Sequence, residues 1–313
     1  MHEILIISGK GGTGKTSLAA AFAHLADNPL ICDLDVDAPD LHLILKPQHQ
    51  RIESFYSGHE AIVLSDKCED CGECIDVCRF GAISQSETHP IVNPFKCEGC
   101  KVCVVLCPAE AIDFPEKYCG RWYVSDTRFG PLVHAQLFPA EENSGRLVAL
   151  LKKEAKTLAE TTGRELILSD GPPGIGCPVI SALSGTNLAV LVTEPTPSGL
   201  HDLVRVMSLC EHFQIPATVI INKFDLNPDQ TNAIQTHCDG KGLRVIAKLP
   251  HDSIITEAMV QGKAVTEHTT GQFTELLREA WREIETLVKI QKKVQGSGFK
   301  VQELASSESM PNL

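Results

Sequence analysis

The sequence predicts an α/β fold: a mostly parallel sheet covered by helices on both faces, interrupted by a smaller inserted unit. Three observations carry this. Short apolar runs alternate with helix-length segments along most of the chain, the spacing of parallel strands joined by crossover helices. A glycine-rich loop stands between the first apolar run and the first helical stretch. Between about residues 51 and 138 the alternation stops, and there eight of the 13 cysteines gather in two tight clusters.

The opening run, residues 3–8 (EILIIS), leads through glycines into a helical stretch over about 16–26, which reads as strand, loop and helix. A second strand is expected over 29–35 (PLICDLD), which ends in carboxylates. Further strands are expected at 165–170, 188–194, 218–222 and 243–249, with helices over 144–161, 198–213 and 229–239. Residues 121–138 alternate apolar and polar around Gly130 and Pro131, the pattern of a hairpin that walks the chain back to the main sheet. Helical periodicity covers 275–290, and the Gly/Ser/Glu-rich residues 293–313 predict a disordered tail. The main domain is therefore discontinuous, 1–60 with 118–292, and 61–117 form the insertion.

Composition narrows the function. The 313 residues are 43% hydrophobic and 22% charged, enough apolar material for a packed core. With 28 basic and 40 acidic side chains the net charge is −12, which argues against gripping nucleic acid or an anionic membrane surface. No apolar run reaches the ~20 residues that span a bilayer, and the N-terminal strand lacks a cleavage site, so a cytoplasmic protein is expected. Clustered cysteines in such a chain point to metal, not disulfides.

Residues 9–16 read GKGGTGKT. Gly11, Gly12, Thr13 and Gly14 can turn backbone N–H groups inward, and the helix beginning at Lys15, Thr16 and Ser17 adds partial positive charge, so a nucleoside triphosphate is the natural guest. Lys15 should meet the β- and γ-phosphates and Thr16 should ligate Mg2+. Lys10, at the second loop position, departs from a plain phosphate loop. On that lysine the sequence resembles the deviant Walker A ATPases, the family of MinD, Mrp, ParA and the nitrogenase iron protein. The resemblance implies a P-loop NTPase fold, an ATP-dependent dimer, and a Lys10 that reaches the nucleotide of the partner subunit.

The same resemblance assigns other residues. DLDVDAPD (33–40) looks like a first switch, with Asp33 near the Mg2+ shell and Asp35 acting on the attacking water, against the plainer reading of a solvated carboxylate. DGPPG (170–174) looks like a second switch, with Asp170 holding a Mg2+ water and the Gly174 N–H touching the γ-phosphate. Asn222 and Lys223 open an NKxD segment that alone would suggest guanine; the resemblance implies adenine, with Pro250 and Asp252 in a second base-contacting loop.

Cys68-x2-Cys71-x2-Cys74-x3-Cys78 recurs 29 residues later as Cys97-x2-Cys100-x2-Cys103-x3-Cys107, a duplicated metal-binding unit. Zinc sites use pairs of C-x2-C instead of runs of four. The runs resemble those of bacterial ferredoxins, which implies two [4Fe–4S] clusters with crossed ligands. One takes Cys68, Cys71, Cys74 and Cys107, the other Cys97, Cys100, Cys103 and Cys78. Arg79 stands where the second run has Pro108, adding a positive charge beside a cluster. Cys177, seven residues past Asp170, resembles a cysteine that holds a cluster between subunits of the nitrogenase iron protein. Its second cysteine is missing, since residues 143–146 read NSGR, so a switch-packing thiol stays open beside a bridging metal. Cys32, Cys210 and Cys238 read as small buried hydrophobes.

Together the motifs resemble the MinD-type ATPases with an inserted bacterial-ferredoxin-like α+β domain, a group that includes the two ATPases of the orange-protein complex. The resemblance implies an ATP-hydrolysing homodimer, or a heterodimer with a related ATPase, whose switch is coupled to cluster redox or metal-cluster maturation with a redox or metal-cofactor protein as partner. A second reading is a ferredoxin-like electron carrier or positioning protein in which ATP only regulates association. No membrane insertion and no nucleic-acid partner are expected.

Overall fold

Residues His2–Ser8 form β1 in the middle of a nine-stranded sheet, and five of its seven residues are buried, as an apolar run between two helix layers must be. The structure, a computed structural model, describes residues 1–139, 141 and 145–296. After β1 come α1 (Lys15–Leu25), β2 (Leu30–Asp33), the short α2 (Leu41–Leu45) and the long β3 (Gln48–His59). The insertion holds β4 (Ile62–Val63), α3 (Glu73–Asp76), β5 (Ile83–Gln85), β6 (Pro90–Val92), α4 (Val102–Leu106) and β7 (Ile112–Asp113). The chain returns through β8 (Glu116–Thr127) and β9 (Gly130–Leu137), then α5 (Arg146–Thr162), β10 (Leu166–Pro173) and α6 (Cys177–Leu183). It ends with β11 (Leu188–Thr193), α7 (Pro197–His212), β12 (Ala217–Asn222), α8 (Pro228–Gly240), β13 (Val245–Leu249), α9 (Ile254–Val260), α10 (Val265–His268) and α11 (Gln272–Gly296).

The strand order is β13-β12-β11-β1-β10-β2-β9-β8-β3. From β13 to β9 neighbours run parallel, and β8 runs antiparallel to both β9 and β3. One face packs against α5, α6, α7 and α8, around residues such as Leu151, Leu183 and Val206. The other packs against α1, α2, α9, α10 and α11, where Phe22 stacks on Trp281 with ring centroids 5.4 Å apart. Cys32, Cys210 and Cys238 are buried in these layers, and burial pushes the thiols of Cys210 and Cys238 up to about 12 and about 11. Among the described residues no helix is long and apolar enough to cross a membrane.

Two expectations change. Where the alternation of strands and helices was expected to break, near residue 51, β3 carries the sheet on as an edge strand, whose first seven residues are all exposed. A strand with a single buried residue, Phe55, shows no alternation for periodicity to detect. The last helix runs to Gly296 instead of ending near 290, so the expected tail loses its first residues to α11, and 297–313 lie outside the described residues.

The insertion is hung from the main sheet at one point, because His59 and Glu116 are register partners at the ends of β3 and β8. Its duplication extends to the backbone. The left-handed residues Asp70, Gly72 and Gly81 of the first run recur 29 positions on as Gly99, Lys101 and Glu110. Gly99 lies against the His59 carbonyl, where any Cβ would collide, so this glycine lets the second run pack onto the root of the insertion. The rings of His59 and Phe114 stack beside it at 4.9 Å. Excising residues 60–115 and joining His59 to Glu116 through Asn-Gly is expected to leave a folded, nucleotide-binding protein; circular dichroism and a nucleotide titration check this, and global unfolding would contradict it.

Candidate nucleotide site and cysteine cavities

Strands β2, β10, β1, β11 and β12 end along one edge of the sheet. Because β10 lies between β1 and β2, the crossovers open a crevice outside their carboxyl ends, where open α/β sheets bind ligands. The loop 9–14 crosses that edge with Gly12 and Gly14 left-handed, at φ 79° and 94°. A Cβ on Gly14 would stand 2.5 Å from Asn222 Nδ2, which donates to the Thr13 carbonyl at 2.8 Å. The Asn222 Oδ1 accepts from the Lys223 N–H at 3.0 Å, which fixes the amide that braces the loop. Gly11 and Gly12 are exposed, with their backbone open to a ligand. Lys15, the first residue of α1, is buried, with Nζ 3.4 Å from Asp35 Oδ2. Thr16 and Ser17 follow on the first turn, and the Ser17 hydroxyl faces Met259 Sδ at 3.3 Å.

Asp33 and Asp170 are register partners on β2 and β10, each about 1% exposed. Asp33 Oδ1 accepts the Asp35 N–H at 3.1 Å. Asp33 Oδ2, both Asp170 oxygens and Thr13 Oγ1 are buried with no partner. Burial raises the Asp170 carboxyl to about 6. Burial, then the charges of Asp170 and Asp35, hold Asp33 well above the carboxylate range. Orphaned carboxylate oxygens in a crevice beside a buried lysine are a fit for a hydrated divalent cation, which takes one or two carboxylates and leaves its other positions to water and phosphate. Gly171, between these acids and the second loop, has no room for a Cβ against Ile7 and Leu5. Gly174, at φ 92°, donates its N–H to the Ser8 carbonyl at 2.9 Å.

Lys10 turns onto its own subunit, with Nζ 2.6 Å from Glu194 Oε1. The other oxygen of Glu194 takes Lys223 Nζ at 3.3 Å, and Lys223 also donates to the Gly12 carbonyl at 3.4 Å. Glu194 was not expected, although an acid just past an apolar parallel strand repeats the signal that marked Asp35. Asp225 accepts the His251 N–H at 2.7 Å, tying the NKxD segment to the loop of Pro250. Asp252 accepts the Ile254 N–H at 3.0 Å at the start of α9.

The eight cysteines of the two runs line two cavities. Cys68, Cys71, Cys74 and Cys107 surround one. Cys78, Cys97, Cys100 and Cys103 surround the other. Each cavity draws three cysteines from one run and the last from the other. The Cys78 and Cys107 sulfurs each accept an N–H from four residues on, Ala82 and Ala111, at 3.3 Å. Cys74 is raised first by burial, then by the Cys103 thiol of the other set, so the two sets lie side by side. Among the described residues no three His, Cys, Asp or Glu side chains close on one point as ligands of a single ion do. Cys177 opens α6 as an exposed thiol, its carbonyl facing Gly145. Asn143 and Ser144 lie outside the described residues.

The CobQ/CobB/MinD/ParA nucleotide binding domain matches residues 4–265. The uncharacterized protein MJ0578 of Methanocaldococcus jannaschii is 35% identical over 229 residues, 72% of this chain and 79% of that protein. MJ0579 of the same organism is 26% identical over 277 residues, 86% of this chain and 94% of that protein. Among solved structures, the septum site-determining protein MinD complexed with Mg-ADP from Pyrococcus horikoshii superimposes with a TM-score of 0.57 at 19% identity, covering 93% of this chain and 98% of that one. The likeness to MinD is one of fold. The family match, by contrast, covers the phosphate loop, both buried acids and the strands that hold them, so the chain belongs to the CobQ/CobB/MinD/ParA family of nucleotide-binding domains.

Proposed function

We propose that this chain is an ATP-binding and hydrolysing dimeric switch whose nucleotide state is coupled to iron–sulfur redox or metal-cluster maturation. The observation that carries the reading is the pair of cavities, each lined by four cysteines drawn crosswise from two runs, in an insertion joined to the sheet of the nucleotide site through β3 and β8. Cys68, Cys71, Cys74 and Cys107 would hold one [4Fe–4S] cluster, and Cys97, Cys100, Cys103 and Cys78 the other. Such clusters supply one-electron transfer when bound. The chain holds the two cysteine sets adjacent and supplies N–H groups to Cys78 and Cys107, a contact that tunes potential.

On the nucleotide side, the N–H groups of residues 11–14 would cradle phosphates and Lys15 would offset their charge. Thr16, Asp33 and Asp170 would complete the shell of a Mg2+ ion, relieving the unpartnered carboxylate oxygens. Asp35 would orient the attacking water, and the Gly174 N–H would exchange the Ser8 carbonyl for a γ-phosphate oxygen. Asn222, Lys223, Pro250 and Asp252 would border the base. The resemblance to the deviant Walker A ATPases supports adenine over guanine. Lys10 would serve the partner's nucleotide, the partner being a second copy or a related ATPase; two matched relatives in one organism support the second option. A redox or metal-cofactor protein would be the client, and Cys177 would bind a metal between subunits or pack against the switch. The likeness to a septum site-determining protein favours one other reading, a carrier or positioning protein whose association ATP regulates.

Lys10→Ala is expected to retain nucleotide binding and lose hydrolysis and dimerisation, read by phosphate release and sedimentation; wild-type turnover would sink the role in trans. Cys74→Ser should remove about half of the cluster iron, one of two clusters, with the nucleotide domain still folded. An anaerobic redox titration with MgADP and then a non-hydrolysable ATP analogue should show a potential shift of roughly 40–130 mV, the equivalent of a coupling of ~1–3 kcal/mol. An unchanged potential would favour the positioning protein.

A further inference from the structure

The hydrogen bonds of Lys10 are fully used on its own subunit. Its ammonium meets Glu194 Oε1 at 2.6 Å, Thr196 Oγ1 at 3.3 Å and Ser198 Oγ at 3.2 Å. An ammonium has three donors, and here each has an acceptor. The acceptors are held by a tight turn between β11 and α7. The Thr196 N–H donates to the Glu194 carbonyl at 2.8 Å, and Thr196 Oγ1 accepts the Gly199 N–H at 2.9 Å as the cap of α7. Gly199 sits so close to the Glu194 carbonyl that no Cβ fits, which keeps the turn closed. The Glu194 side chain is 18% exposed, so its pairing with Lys10 is only partly screened.

We infer that Glu194 is a keeper for Lys10: it holds the signature lysine on its own subunit and so sets the protein concentration at which the nucleotide-bound dimer forms. The inference rests on the reading that Lys10 acts across the dimer. To reach a phosphate on the partner, Lys10 must leave three acceptors, one of them an anion. Each dimer opens two keepers, so the change in the dimer dissociation constant is the square of the change at one site. Lys223, on the second oxygen of Glu194, remains with Gly12 when Lys10 leaves, so the loop stays braced while the signature lysine is released. Glu194 acts through Lys10 and is a positioning residue.

The test uses the full chain with a non-hydrolysable ATP analogue and Mg2+. In sedimentation series, Glu194→Gln, which keeps shape and removes charge, is expected to dimerise at roughly ten- to hundredfold lower protein concentration, from about three- to tenfold per keeper. Ser198→Ala, which removes a neutral acceptor, should shift dimerisation the same way by less. In the nucleotide-free protein, acetic anhydride labelling read by mass spectrometry should modify Lys10 several-fold faster in Glu194→Gln, which a merely structural role would not produce. Weaker or unchanged dimerisation of Glu194→Gln, or unchanged Lys10 labelling, overturns the keeper. Lys10→Ala separates the two ideas. If it fails to dimerise while Glu194→Gln matches wild type, the keeper alone is wrong; if it dimerises like wild type, the action in trans is wrong and the keeper falls with it.

Discussion

Asp33 and Asp170 face each other in register on adjacent parallel strands, buried, with three of their four oxygens unpartnered. Water is excluded and like charges oppose, so the two carboxyls resist ionisation together. Groups placed this way weaken the folded state unless a cation or its bound water meets them. Their neighbourhood follows from the same constraint. Lys15 is buried within reach of the third acid, Asp35, and the glycine loop passes over the edge where the acids end. A bound nucleotide with its cation would satisfy acids and lysine at once, so occupancy of the site and stability of the fold are linked.

From that edge the chain also leads to the insertion. Only α2 separates the loop of Asp33 and Asp35 from β3, which runs straight into the cysteine unit. Rings pack this junction. His42 of α2 stacks on His134 of β9, whose ring meets His49 of β3 at 5.6 Å and Tyr123 of β8 at 4.9 Å. Ser125 bridges the His49 and His134 nitrogens at 2.9 and 3.1 Å. Burial, then the neighbouring His49 and His42, depress His134 to about 3, so this imidazole stays neutral at ordinary pH. The helix after the first acidic loop and both strands that carry the insertion therefore form one packed layer.

Much of the architecture was legible in the chain. The parallel strands declare themselves because both faces are buried, which forces continuous apolar runs, and strand, glycine loop and helix follow one another in sequence. The cysteine repeat is equally local, down to the left-handed positions that recur with it. The strand β3 was hidden because only Phe55 of its twelve residues is buried, too little to impose alternation. The helices α2, α6, α9 and α10 are too short to display a period.

By itself the sequence determined the fold class, the phosphate loop, the acids at strand ends and the eight thiols, since each depends on burial or on spacing along the chain. Only the tertiary structure decided which groups share a neighbour. The register of β2 against β10 set Asp33 beside Asp170, and the folding of two distant runs around each other dealt their cysteines three and one into two cavities. It also joined Lys10 to Glu194, 184 positions along the chain, because β1 and β11 are adjacent and end at the same edge. Such pairings arise from strand order, which local patterns of hydrophobicity do not encode.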